Sequence, residues 1–150
     1  MCYEEAIGFC LGSIVNDKDG VSAGAVFAEM AAYLARTHKR TPVGHLEHLY
    51  ATHGQWVMNA SYVYCRDPQT TSAIFDRIRT AFPKGSQVGG VTISGVRDLT
   101  TGVDTDAADG HATLPLSKSS HMITFRLANG AIATLRGSGT EPKIKWYVPE

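Results

Sequence analysis

Residues 122–148 read MITFRLANGAIATLRGSGTEPKIKWYV, and this stretch decides the fold. Asn129-Gly130 sits between two runs rich in β-branched and aromatic residues, 122–127 and 131–135, and such a dipeptide between such runs predicts a β-hairpin. A third run, 144–148, follows the Gly137-Ser138-Gly139 loop. Three strands joined by short turns predict an antiparallel sheet.

Upstream, the alternation of Trp56, Met58, Ala60, Tyr62 and Tyr64 predicts another strand, with these residues on one face. Asp67-Pro68 or Thr70 opens a helix in which Ile74, Ile78 and Phe82 stack at i, i+4 and i+8, flanked by Phe75. Residues 88–96 read as a glycine-rich strand. Residues 99–120 are polar and rich in Asp and small side chains, and are expected to form a long loop.

The first third of the chain is helical in pattern. Asp19 is placed to cap a helix from Val21 to about His38, whose apolar positions Val26, Met30, Tyr33 and Leu34 fall at i, i+4, i+7 and i+8. Thr41-Pro42 reads as a cap followed by a first-turn proline, and Gly54 as the stop. The period changes after it, so the main boundary is expected near residue 55. The whole is α+β: an antiparallel sheet with few helices, preceded by a helical segment.

Composition excludes several functions. The 150 residues carry 14 Lys plus Arg against 14 Asp plus Glu. That balance leaves no net field to attract nucleic acid or an anionic membrane, so any anion site must be built locally. Trp56, Tyr62, Tyr64, Trp146 and Tyr147 therefore read as core and strand-face residues; a stacking platform for bases needs a basic surplus. Cys2, Cys10 and Cys65 lack C-x-x-C spacing and read as free thiols in a reducing compartment. The N-terminus offers neither a basic n-region nor an apolar h-region, and the expected location is cytoplasmic.

The sharpest candidate site is Arg136-Gly137-Ser138-Gly139-Thr140-Glu141-Pro142-Lys143. A phosphate monoester needs convergent short donors, backbone N–H groups that can turn inward, and a planar cation. Ser138 and Thr140 supply hydroxyls, Gly137 and Gly139 let the backbone approach, and Arg136 and Lys143 supply charge. The same residues equally describe a solvated turn with basic neighbours. A Walker A loop is excluded, because Pro142 and a strand pattern follow where a helix is required. Glu4-Glu5 with Lys18 is a second candidate, since carboxylates accept paired hydrogen bonds from sugar hydroxyls; an exposed loop carries such a pair too.

Other patterns are weaker. Asp104-Thr105-Asp106 has the clustered carboxylates that hard cations favour, but lacks the glycine and distal Glu of an EF-hand. His45 and His48 are one residue short of H-E-x-x-H spacing and read as a solvated helix face. Cys65, Ser120 and His121 are chemically a nucleophilic set that nothing in the sequence brings together.

Several segments recur in order along the chain. They are Tyr3-Glu4-Glu5-Ala6-Ile7-Gly8-Phe9, Asp17-Lys18-Asp19-Gly20-Val21, Val96-Arg97-Asp98-Leu99-Thr100-Thr101-Gly102, Ser117-Lys118-Ser119-Ser120, and the loop from Arg136 into the final strand. Together they resemble the α-D-phosphohexomutase superfamily, in its phosphopentomutase/phosphoglucomutase-2 branch, which includes glucose-1,6-bisphosphate synthase.

The resemblance implies an intramolecular phosphotransferase of carbohydrate metabolism acting on glucose 1-phosphate or ribose and deoxyribose 1-phosphate. It implies three regions: residues 1–40 as the end of an α/β/α third domain with its sugar-binding loop, 41–54 as a helical connector, and 55–150 as a TATA-box-binding-protein-like C-terminal fourth domain. It assigns the substrate phosphate to Arg136, Ser138, Gly139 and Thr140, with Lys143 beside them, and the sugar to Glu4, Glu5 and Lys18. Ala6 stands where many members have Ser, which removes one hydroxyl.

In the family a phosphoserine in a Thr-x-Ser-His-Asn type motif relays the phosphoryl group, and a D-x-D-x-[DR] loop holds Mg²⁺. Neither motif occurs here. The expectation is therefore no catalytic residue, no metal and no cofactor in this chain, and no turnover by it alone. It is expected to be a truncated isoform, a fragmentary gene product or a piece of a longer protein. The implied partner is a phosphosugar, with neither nucleic acid nor membrane. The competing expectation is a non-catalytic module that binds or regulates a full-length mutase.

Overall fold

A computed structural model describes residues 1–4, 8–55, 57–139 and 141–149. The chain divides into two compact units, Met1–Trp56 and Val57–Glu150.

In the first unit, β1 (Cys2–Glu4) and β2 (Gly8–Cys10) pair antiparallel, with Glu4 opposite Gly8. Helix α1 (Gly20–Tyr33) starts where its sequence dictates: the Asp19 carboxylate accepts from the N–H groups of Val21 and Ser22 at 3.1 and 3.0 Å. These are two of the donors that no helical carbonyl can reach. The helix runs on as a π-helical turn, Leu34–His38, and stops at Lys39, whose φ of 54° is left-handed. Helix α2 (Pro42–His53) is capped by Thr41 Oγ1, which accepts from Gly44 N–H at 3.1 Å, and ends at Gly54 with φ 85°. Of the apolar face expected on the first helix only Leu34 is buried; Val26, Met30 and Tyr33 are exposed.

The second unit is built on strands β3 (Met58–Tyr64), β4 (Gln87–Val88), β5 (Val91–Asp98), β6 (Val103–Asp104), β7 (Met122–Leu127), β8 (Ile132–Gly137) and β9 (Lys143–Pro149). Their order across the sheet is β3-β9-β8-β7-β5-β4, every pairing is antiparallel, and β6 adds to β5. Helix α3 (Pro68–Ala81), capped by Asp67, lies on one face. The core beneath it is Phe75, Ile93, Ile123, Phe125 and Ile144, each at most 6% exposed. Alternation along each strand then sends Arg97, Thr124, Thr134, Arg136, Lys145 and Tyr147 to the opposite, helix-free face, and a 3.0 Å contact between the Thr124 and Thr134 hydroxyls follows from that.

Several sequence expectations change here. The buried side of α3 centres on Phe75, which is fully buried, while Ile74 is 36% exposed. Ile78 and Phe82 of the expected stack do pack on the core, and Phe75 takes the place expected for Ile74, completing an i, i+3, i+7 stripe. Residues 88–96 form two strands: Gly89 and Gly90, at φ 56° and 80°, make the tight turn between β4 and β5. Positive φ at both turn positions is what a two-residue hairpin requires. The Asn129-Gly130 hairpin has a three-residue loop, in which Gly130 at φ 90° donates to Leu127 O while Leu127 N–H donates to Ala131 O.

Residues 99–120 are an anchored segment, with β6 inside it and hydrogen bonds from Leu99 N to Met122 O and from Ser117 N to Leu99 O. Tyr62 and Tyr64 are strand-face residues, 46% and 64% exposed, and so not core; Trp56 lies outside the described residues.

Candidate functional site

The loop after β8 is pinned at several points. Gly137 N–H donates to His121 O at 2.8 Å, Ser138 N–H to Lys143 O at 2.9 Å, and Cys65 N–H to Pro142 O at 2.8 Å. These bonds hold the loop against the segment entering β7 and against the start of α3. Between them lies a cleft of about 290 Å³ whose lining includes Cys65, Thr71, Ser72, Ser120, His121 and Ser138 together with Arg66, Glu141 and Lys143. Its walls are hydroxyls, one imidazole and two cations against one carboxylate. Thr71 Oγ1 and Ser120 Oγ donate within the protein, to Asp67 O and Gly137 O, which leaves the Ser72 and Ser138 hydroxyls and the two cations as the groups suited to an anion.

A buried polar chain supports the cleft from behind. Asp98 is 4% exposed, and its carboxylate accepts from Arg79 Nε at 2.6 Å and from the N–H groups of Thr100 and Thr101 at 2.8 and 3.3 Å. Burial pushes the Asp98 carboxyl upward, but the Arg79 bond and the two N–H donors outweigh it and hold it below the usual carboxylate range. The same guanidinium reaches His121: Arg79 Nη2 lies 3.3 Å from Nδ1. On the other side of the ring, Nε2 is 3.2 Å from Ser72 Oγ. The imidazole stacks on Phe75 with centroids 4.7 Å apart. Burial, then the Arg79 charge, keeps His121 below the ordinary histidine value.

The expected phosphate residues divide between two places. Ser138 lines the cleft and Gly139 is exposed at the loop tip. Arg136 lies on the helix-free face, its guanidinium carbon 5.8 Å from the Tyr147 ring centroid, and its buried Nε–H has no hydrogen-bond partner among the described residues. The Lys143 ammonium is 2.8 Å from Glu141 Oε1 and 4.1 Å from the Tyr62 ring centroid. Thr140 lies outside the described residues.

In the first unit Lys18 Nζ is 3.3 Å from Glu4 Oε2 and 3.4 Å from Asp17 Oδ1, which raises the Lys18 pKa. The Lys18 stem runs close over Gly8, where a Cβ would lie 2.9 Å from Lys18 Cγ and Cδ and would make that side chain shift. Glu5 and Ala6 lie outside the described residues.

The remaining motifs resolve through packing. Asp104 and Asp106 together clamp the Arg126 guanidinium, with Asp104 Oδ1 2.6 Å from Nη2. Gly95 makes room for this, since a Cβ there would lie 2.6 Å from the Asp106 carboxylate. Both carboxylates are thus committed to arginine and do not fit a Mg²⁺ site. No group of three or more His, Cys, Asp or Glu among the described residues could hold a metal ion. His45 is half-buried, and its ring contacts those of His38 and His48. Cys65, Ser120 and His121, which the sequence leaves apart, line one cleft. The Cys65 sulfur accepts from Thr71 Oγ1 at 3.1 Å, a packing role.

Ser72, Arg79 and Asp98 are absent from the sequence candidates, and His121 stands among them only beside Cys65 and Ser120. Asp98 alone left a signal: an Asp followed by backbone N–H groups it can accept from two and three residues on is an Asx-turn. No helix among the described residues is long and apolar enough to cross a membrane.

The fold is an α+β domain of the phosphoglucomutase kind. It superposes on the open form of the Paramecium exocytosis-sensitive phosphoprotein pp63/parafusin, a phosphoglucomutase, with a TM-score of 0.58 over 91% of this chain and 23% of that one, at 15% identity. The chain is homologous to phosphosugar mutases of the phosphopentomutase and glucose 1,6-bisphosphate synthase branch. It is 49% identical over 150 residues to mouse glucose 1,6-bisphosphate synthase, 46% to human phosphopentomutase, and 41% over 152 residues to a probable phosphoribomutase of Schizosaccharomyces pombe. These matches cover 97–99% of the chain, which spans about a quarter (24–26%) of those relatives' length. No protein-family model matches it.

Proposed function

We propose that this chain is the substrate-phosphate-binding, C-terminal part of a phosphosugar mutase, a phosphotransferase acting on hexose or pentose 1-phosphates. Residues 1–40 then correspond to the end of a third domain, 41–54 to a connector and 55–150 to a fourth. The observation that carries the reading is the donor-lined cleft at the loop 137–143, with Ser138 inside it. Homology along almost the whole chain supports the same assignment.

In this reading the Ser138 and Thr140 hydroxyls and the Gly139 N–H hold the phosphate oxygens, and Arg136, whose buried Nε–H has no hydrogen-bond partner among the described residues, is the planar cation that the family resemblance assigns to them. Lys143 adds positive charge beside it. Glu4, Glu5 and Lys18 serve the sugar hydroxyls, the Glu4–Lys18 pair keeping the carboxylate in place. Positioning and electrostatics supply most of phosphoryl-transfer catalysis, but an acceptor and a metal are also required. The 150 residues alone therefore bind substrate and do not turn it over.

Titration of the ¹⁵N-labelled chain with glucose 1-phosphate and ribose 1-phosphate tests this. The Gly137, Ser138 and Gly139 amides are expected to shift, with no isomerised product. An unshifted loop in a folded sample would refute the reading.

A further inference from the structure

Ser72 and His121 form a wall of the cleft for which the phosphate loop does not account. Their chemistry is set by one fact about arginine: a guanidinium donates and cannot accept. The 3.3 Å contact between Arg79 Nη2 and His121 Nδ1 therefore makes Nδ1 the acceptor. In the neutral ring the proton must then sit on Nε2, which points at Ser72 Oγ 3.2 Å away. The imidazole donates to the serine oxygen, and the serine O–H is left to donate elsewhere. Both residues line the same cleft as Ser138.

The orientation is held from two directions. Arg79 is itself fixed by the buried Asp98 carboxylate at 2.6 Å, and the ring is clamped flat on Phe75 with an interplanar angle of 12°. A chain running from buried carboxylate to guanidinium to imidazole to hydroxyl ends in a donor facing an anion-sized space.

We propose that Ser72 binds the substrate phosphate directly, as a hydroxyl donor in the same cleft as Ser138, and that His121 is the positioning residue that aims it. This rests on the reading of the cleft as the phosphate site. It adds a contact from helix α3 to those of the loop. A phosphate held from both helix and loop is fixed in orientation as well as in place, which is what an in-line transfer requires.

The test uses the full chain with inorganic phosphate and ribose 1-phosphate as probes, followed by NMR. In the wild-type chain the His121 Nε2 resonance is expected to move with the same saturation curve as the Ser138 amide. Ser72→Ala is expected to weaken phosphate binding about tenfold, the worth of one hydrogen bond to a charged group. His121→Phe, which keeps the stacking and removes the donor, is expected to weaken it severalfold, and His121→Gln, which restores an N–H, to recover most of the loss. If the loop amides shift while His121 Nε2 stays still, or if Ser72→Ala binds as the wild type does, this proposal fails and the loop reading survives. If no loop amide moves in the folded wild type, both fail. The wild-type resonance decides the matter even if a variant does not fold.

Discussion

The two units are built on opposite principles. In Met1–Trp56 each helix begins and ends on a side-chain cap or a left-handed residue, yet Leu34 is the one hydrophobic side chain there that the described residues bury. In Val57–Glu150 the sheet and α3 close over Phe75, Ile93, Ile123, Phe125 and Ile144. The first unit is specified locally and the second by long-range packing. Caps contribute about 1 kcal/mol each, whereas a fully buried aromatic or aliphatic side chain contributes about 1.5–3 kcal/mol. Stability is therefore concentrated in the second unit, and so is the cleft.

The strongest way to break this contrast is Phe75→Ala. It is expected to cost about 3–5 kcal/mol in urea denaturation, as large aromatic truncations in cores do. A loss under about 1 kcal/mol would place the core elsewhere. Asp98→Asn should come next, at about 2–3 kcal/mol, because it strips a buried carboxylate from Arg79 while that cation stays partly wet. The same variant should loosen the His121 ring, read as exchange between its two tautomers by NMR.

A smaller effect is expected from pH. Asp76, Arg79 and Asp98 face His121 from α3 and β5, with Arg66, Glu141 and Lys143 across the cleft. The folded pKa of His121 is depressed, so the unfolded chain binds the extra proton first. The contribution is full above the ordinary value of about 6.5 and is lost as pH falls through the folded value. Denaturation midpoints should decline below about pH 6.5, and that part of the decline should vanish in His121→Gln. A profile identical in the two proteins would remove His121 from the account. The smallest effect is reserved for the first unit: Lys18→Ala removes an exposed ion pair and should leave the melting temperature unchanged. A clear drop would mean that the Glu4–Lys18 pair holds structure as well as substrate.

What was legible in the sequence follows the same division. Asp19, Thr41, Asp67, Gly54 and the Asn129-Gly130 turn act within a few residues of themselves, and all are found in place. Phe75 was misread as a flank because the period of an amphipathic helix fixes its apolar stripe only to within a residue on either side. The Asp-rich stretch 99–120 is mostly turns and loop, as its composition predicts, but its anchoring was not legible, because Asp104 and Asp106 find their partner, Arg126, some 20 positions away. Within the site, Ser138 and its loop were legible from residue type alone. The pairing of Ser72 with His121 was not, since they stand 49 positions apart and meet only where α3 crosses the entry to β7.

The sequence by itself determined the caps, the hairpin, the absence of net charge and the loop with a phosphate binder's chemistry, because each is carried by neighbouring residues or by totals. Tertiary structure alone decided which face of α3 is buried, which carboxylates are consumed by arginines, and which groups meet the two nitrogens of His121. Those outcomes depend on distances between groups far apart in the chain, and only packing sets them.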